Sequence, residues 1–144
     1  FVANIISAAD QDRPFTIFAN RDTKEYNINL TGSFTFVHNL SLEIYSQLFF
    51  ASGYYNNYKL LVTPETFTPY NYSDNNDFNR NNFQLNSILR WEYLPGSTLY
   101  LVWSQYRGYF DKIYESSVGD NLDNTFATRP DNAIILKVSY WLNI

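Results

Sequence analysis

Two carboxylates, Glu43 and Glu92, have the spacing that would let them do chemistry. Each lies three or four residues from a short turn, on stretches that would be neighbouring strands. Arg90 falls on the same parity as Glu92, and Lys137 on the polar parity of the last alternating stretch. Two carboxylates flanking a sugar hydrolyse it when they sit ~5–10 Å apart. Nothing in the surrounding residues marks either as an acid of raised pKa. An ion-pair network of Glu43, Arg90, Glu92 and Lys137 is therefore the reading the sequence favours, and Glu43 and Glu92 stand only as candidate catalytic residues.

His38 is the single histidine. A catalytic histidine needs a nucleophile and an orienting acid beside it, and His38 sits in a tight turn. Asp74, Asp77, Asp120 and Asp123 lie in polar connections, at spacings that match no EF-hand loop. With no cysteine, disulfides and thiol chemistry are excluded and a zinc site is disfavoured. No metal and no cofactor is expected. A net charge of −4 argues against nucleic acid as a partner.

The elements that would position these side chains are strands. From Asn82 to Phe110 the chain reads as a hairpin around Pro95-Gly96-Ser97. Phe83, Leu85, Leu89, Trp91 and Tyr93 share one parity; Gln84, Asn86, Arg90 and Glu92 share the other, with Ser87 and Ile88 breaking the pattern. Side chains of a strand alternate between faces, so one face is apolar and one polar. A three-residue loop keeps Leu99, Leu101 and Trp103 on the Trp91 face; a two-residue loop would reverse them. Gln105 and Arg107 then follow the apolar face and must lie beyond the end of its apolar band.

Similar alternation runs from Tyr26 through Ile28, Leu30, Phe34 and Phe36, and from Leu40 to Phe50 after a two-residue turn at His38-Asn39. It returns at Ile134, Leu136, Val138 and Tyr140. Strands are expected near 1–9, 14–20, 25–37, 40–52, 82–94, 98–110 and 133–143, with long loops at 53–81, within which Tyr58 to Val62 could extend a strand, and 111–132. From residue 26 on, the connections run short, long, short, long. Transmembrane β-barrels alternate short periplasmic turns with long external loops, and their strands alternate apolar-out and polar-in. No stretch approaches the ~18–20 continuous apolar residues of a membrane helix.

The fold class expected is all-β: the C-terminal part of an antiparallel up-and-down transmembrane β-barrel, about five to seven strands of a larger barrel. The chain begins with Phe and contains no Met, which reads as the tail of a longer polypeptide. Tyr26, Phe34, Phe36, Trp91, Tyr93, Trp103 and Tyr140 are the expected lipid-facing and girdle residues. A soluble β-sandwich would also bury the apolar parity, but leaves the loop alternation unexplained.

At RWEYLPGSTLYLVW (90–103) the sequence resembles a family. Softer matches are Pro14-Phe15 with Phe18-Ala19, Leu40-Ser41-Leu42 through Tyr45, and Phe50 to Gly53 with Tyr55. Others are Asp77-Phe78-Asn79, and Asp131-Asn132 followed by Leu136 to Trp141. The resemblance is to the C-terminal domain of uncharacterised Gram-negative proteins that pair an N-terminal family-nine-like carbohydrate-binding module with a long β-rich domain of unknown function. It implies an outer-membrane barrel and a preceding N-terminal part, and carries no catalytic residues over. Ile144 departs from the aromatic on which members end.

The expected role is an integral outer-membrane anchor or pore-like component linked to glycan binding or uptake. Its expected partners are the lipid bilayer, the N-terminal part of the same chain, other envelope proteins and surface glycan. The alternatives are a carbohydrate-active enzyme domain acting through Glu43 and Glu92, and a scaffold subunit of an envelope complex. A Tyr/Asn-rich stretch, Tyr54 to Asn82, has the composition to stack on and hydrogen-bond sugars.

Overall fold

The computed structural model describes residues 2–6, as backbone, and 16–142. Seven strands form one antiparallel sheet. They are β1 (Val2–Ile6), β2 (Thr16–Val37), β3 (Leu40–Thr63), β4 (Thr66–Pro69), β5 (Phe78–Leu94), β6 (Ser97–Asp111) and β7 (Asp131–Ser139). A helix, α1 (Val118–Ala127), lies between β6 and β7. The order across the sheet is β1-β2-β3-β5-β6-β7, with β4 paired to the far end of β3. The neighbour order follows the chain up and down, as expected. The sheet is open, with β1 and β7 at its two edges, and is not closed into a barrel.

Several boundaries differ from expectation. The separate strands at 14–20 and 25–37 are one 22-residue strand, because the charged run Asn20 to Lys24 stays paired to Ser52 through Asn56. The expected loop 53–81 is mostly ordered: β3 runs on to Thr63 and turns back into β4. Alternation is lost there, so the stretch reads as a loop although its backbone remains in the ladder. The expected loop 111–132 contains α1. Of the expected strand 1–9, Val2–Ile6 is seen; residues 1, 7–15 and 143–144 lie outside the described residues.

Both short turns carry the same device. The pairing at the first hairpin slips between Thr35 and Val37, leaving Phe36 as a bulge before the His38-Asn39 turn. The second slips between Glu92 and Leu94, leaving Tyr93 as a bulge before Pro95-Gly96. A bulge adds one residue to one strand and so shifts its phase by one. A plain two-residue turn would set Phe34 opposite Glu43; with the bulge it faces Leu42. The second bulge places Leu99 opposite Trp91 and Leu101 opposite Leu89. The expected face for Leu99, Leu101 and Trp103 is thus found, reached by a bulge and a tight turn rather than a three-residue loop. Gly96 has φ +76°, a conformation that side chains resist. Asn39 and Glu92 tie the two turns together: Glu92 N donates to Asn39 O at 2.8 Å and Asn39 Nδ2 to Glu92 O at 3.0 Å.

Candidate functional site

Directly paired residues share a face, so the register can be read across the sheet as rows. One row runs Phe34, Leu42, Leu89, Leu101, Leu136. The next runs Gly32, Ile44, Ser87, Trp103, Ile134. These rows belong to an apolar band uncovered over most of its length, with Leu30 65% exposed, Leu136 61% and Ile134 71%; at its far margin Phe50 is buried and Phe83 meets the Phe126 ring at 5.0 Å. Ser87, which broke the alternation, sits in the band without a register shift.

The far margin of this band runs diagonally. Its last apolar residues are Tyr26 on β2, Phe50 on β3, Phe83 on β5, Trp103 on β6 and Ile134 on β7. The residues beyond them are Lys24, Ser52, Asn81, Gln105 and Asn132. The row through Ile134 crosses β2 at Gly32, six residues from Tyr26. Trp91 and Tyr93 meet edge to face at 6.0 Å by the short turns, and Phe36 and Tyr140 lie at that end too. Tyr26 and Trp103 mark the far margin, where Trp103 Nε1 donates to Asn132 Oδ1 at 3.0 Å. The seven expected girdle and face residues therefore lie on one face or at its rims.

Beyond the margin the same face is covered. Helix α1 starts at Ser117, whose Oγ accepts from Asp120 N at 3.3 Å. A side-chain acceptor there satisfies an N–H that has no partner within the helix. Asn121 Oδ1 accepts from Asn79 Nδ2 at 2.7 Å and from Asn81 Nδ2 at 3.0 Å. Ser52 Oγ donates to Asn79 Oδ1 at 3.1 Å, and also lies within hydrogen-bond reach of Glu115 O. Ser52, Asn79, Asn81, Asn121 and Thr125 are all buried. Arg107 holds the other helix end, donating to Phe126 O at 2.7 Å and Thr128 O at 2.8 Å, with its guanidinium 5.4 Å over the Phe126 ring. Gln105 and Arg107 thus lie past the apolar band, as expected, and the partner for Arg107 is the helix. Sequence reading missed α1, although Ser117 followed three residues later by Asp120 is a helix-start signal.

The opposite face carries the expected ionisable residues. Arg90 Nη2 lies 3.5 Å from Glu92 Oε2, and Arg90 Nε donates to Tyr100 OH at 3.3 Å. Tyr100 registers with Lys137, so Arg90 and Lys137 share a row. Glu43 is apart: it accepts from Tyr45 OH at 3.3 Å and registers with Ile88. Glu92 is four residues further along β5, which puts the two Cα atoms about 14 Å apart from strand rise and spacing. The sheet brings Arg90, Glu92, Tyr100 and Lys137 together and holds Glu43 away from Glu92. Glu92 Oε1 also accepts from Gly96 N at 3.1 Å.

Between this charged end and the Glu25–Arg80 end lies a belt of mostly uncharged polar residues, charged only at Asp131 on its edge strand. Its central row is Asn29, Gln47, Gln84, Tyr106, Asp131. His38 is exposed in its turn. Asp77 Oδ1 accepts from Tyr55 N at 2.8 Å. Among the described residues no group of three His, Cys, Asp or Glu side chains is arranged to hold a metal. In the Tyr54 to Asn82 stretch the rings stack on one another: Tyr58 and Tyr72 lie 4.9 Å apart, nearly parallel. Burial pushes the Tyr58 phenol above its ordinary value, more than its hydrogen bond with Asn76 pulls it down.

The chain belongs to the family described as a domain of unknown function (DUF5916), which matches it over residues 3–144. No curated protein and no solved structure matches the chain.

Proposed function

We propose that this chain is the C-terminal part of an outer-membrane β-barrel, with the apolar band against lipid and the polar face lining the interior. The observation that carries the reading is the diagonal margin of the band. From β2 to β7 it climbs six residues over four inter-strand spacings. At about 3.4 Å per residue and about 4.8 Å per spacing, that slope is about 45°. A membrane plane drawn across strands tilted by ~35–45° cuts them on such a diagonal.

The height agrees as well. Tyr26 to Phe36 spans ten residues, about 34 Å of strand and about 24 Å along the membrane normal at that tilt. The outward apolar band of such barrels is ~25 Å tall. A sandwich would need a second sheet over the band; among the described residues α1 and its flanking chain sit on that face, at and beyond the margin, and no second sheet does.

On this reading the protein is an integral anchor or pore-like component of the outer membrane. A family-nine-like carbohydrate-binding module at its N-terminal side, and other envelope proteins, would connect it with glycan handling. The separation of Glu43 from Glu92 weighs against the carbohydrate-active enzyme.

Membrane partition of the full-length protein tests the reading. It should stay in the outer-membrane fraction through carbonate washing and shift in gel mobility on boiling. Release as a soluble protein would overturn it.

A further inference from the structure

The middle of the polar face differs from both its ends. Charges sit toward the short turns, at Glu43, Arg90, Glu92 and Lys137, and again in the row of Glu25 and Arg80. Between them lie three rows of amides, hydroxyls and aromatic rings, whose one charged residue is Asp131 on the edge strand.

Tyr106 is the platform of this belt. Its hydroxyl donates to Asn82 Oδ1 at 2.9 Å, which pins the ring. The ring lies over Gly108, where a Cβ would meet two ring carbons at 3.3 Å and the hydroxyl oxygen at 2.9 Å. A glycine within a strand marks such a close approach. The pinned ring keeps 46% of its surface exposed.

Amides flank the ring. Gln47 Nε2 donates to Asn27 Oδ1 at 3.1 Å and Ser104 Oγ to Asn86 Oδ1 at 2.7 Å. These bonds, with that of Tyr106, occupy the oxygens of Asn27, Asn82 and Asn86. An amide carries two donors besides its oxygen, so the NH₂ groups remain for another partner. Three adjoining open hollows of about 270, 220 and 310 Å³ meet at Gln84.

We infer that this belt binds a neutral oligosaccharide. Side-by-side neutral donors and acceptors suit hydroxyl groups, and an exposed aromatic face suits the C–H face of a sugar ring. An ion would require charge, which the belt excludes from its centre. The central row crosses four inter-strand spacings, about 19 Å, which is long enough for several sugar rings. The inference rests on the membrane reading only for the route by which the solute arrives.

The test is calorimetric titration of the full-length protein, purified in detergent, with neutral hexasaccharides built from glucose, mannose, galactose or xylose. An oligogalacturonate serves as the acidic comparison. At least one neutral hexasaccharide should bind, and the oligogalacturonate should not. Tyr106→Ala should weaken binding by roughly tenfold or more, as loss of a central aromatic contact does. Tyr106→Phe keeps the ring and should weaken it less. Gln84→Ala removes an exposed side chain that the fold does not need, and should weaken binding about fivefold.

Binding of none of the neutral sugars, stronger binding of the acidic one, or unchanged affinity in both Tyr106→Ala and Gln84→Ala would overturn the inference. The two readings fail separately. Carbonate-resistant protein that binds no sugar removes the belt alone. Carbonate-soluble protein that binds a neutral hexasaccharide through Tyr106 removes the membrane reading alone.

Discussion

Leu30 and Asn81 project from the same face of the same sheet. Leu30 is apolar and 65% exposed; Asn81 is polar and wholly buried. Their neighbours repeat the inversion. Near the short turns the face is Phe34, Leu42, Leu101 and Leu136 with nothing over it; beyond the diagonal it is Ser52, Asn79 and Asn81 under α1 and its flanking chain. In water, each large apolar side chain left bare forgoes ~1.5–3 kcal/mol of burial. A buried amide left unpaired costs ~1–3 kcal/mol, and here Asn121 pairs the NH₂ groups of both Asn79 and Asn81. The two stretches answer to different surroundings. The far stretch is built as a protein in water builds its interior, with the NH₂ groups of its buried Asn79 and Asn81 paired locally. The near stretch leaves its apolar side chains bare, which the membrane proposal accounts for by placing them against lipid.

The largest effect is expected from a charge placed in the band. Leu42→Arg should destabilise the lipid-embedded protein by ~2–4 kcal/mol, while Thr31→Lys on the opposite face stays within about 0.5 kcal/mol. Urea unfolding from lipid vesicles, followed by tryptophan fluorescence, measures both. Equal costs on the two faces would mean that the band does not meet lipid.

Asn121→Ala should cost ~1–3 kcal/mol by removing the acceptor of the buried Asn79 NH₂ group, while Asn81 Nδ2 keeps the Asn121 carbonyl at 3.2 Å. The loss should appear as faster hydrogen exchange in residues 112–130, with carbonate resistance unchanged. A matching fall in global stability would show one cooperative unit instead of two regions. Gly96→Ala should cost ~1–2 kcal/mol, since φ +76° opposes a side chain and a Cβ there meets Trp141 at 3.1 Å. Thermal unfolding in detergent reads that change. The smallest effect is expected from Arg90→Met, with no resolvable change in stability, because its pairing with Glu92 is solvent-exposed. A larger loss in the same unfolding assay would show a tighter charged cluster than the geometry describes.

Alternation made the two faces legible from residue types alone, and it correctly set Gln105 and Arg107 past the end of the band. The relative phase of the strands was harder to read, because Phe36 and Tyr93 look like ordinary alternating residues and are bulges. The paired course of β3 beyond Gly53 was legible only at Tyr58 to Val62. Before it Tyr and Asn follow one another without alternation, and Pro64 with Pro69 reads as loop punctuation. Arg90 and Glu92 were legible as a pair, being two residues apart on one strand. The distance from Glu43 to Glu92 was not, since it depends on the register between strands. The amide belt needed the same information: Asn29, Gln47, Gln84 and Tyr106 come from four strands and are neighbours only once the rows are known.

The paired bulges have a consequence for how this sequence can vary. Each hairpin behaves like a message with a frame of two. A single-residue insertion or deletion between Glu92 and Thr98 would turn Leu99, Leu101 and Trp103 onto the amide face and Tyr100 and Tyr106 onto the apolar one. Two changes, or one change absorbed by gain or loss of the bulge, would restore the sense. Length variation at the two tight turns should therefore arrive in compensated pairs, while the stretch from Tyr70 to Asp77 lies in no strand and carries no such frame.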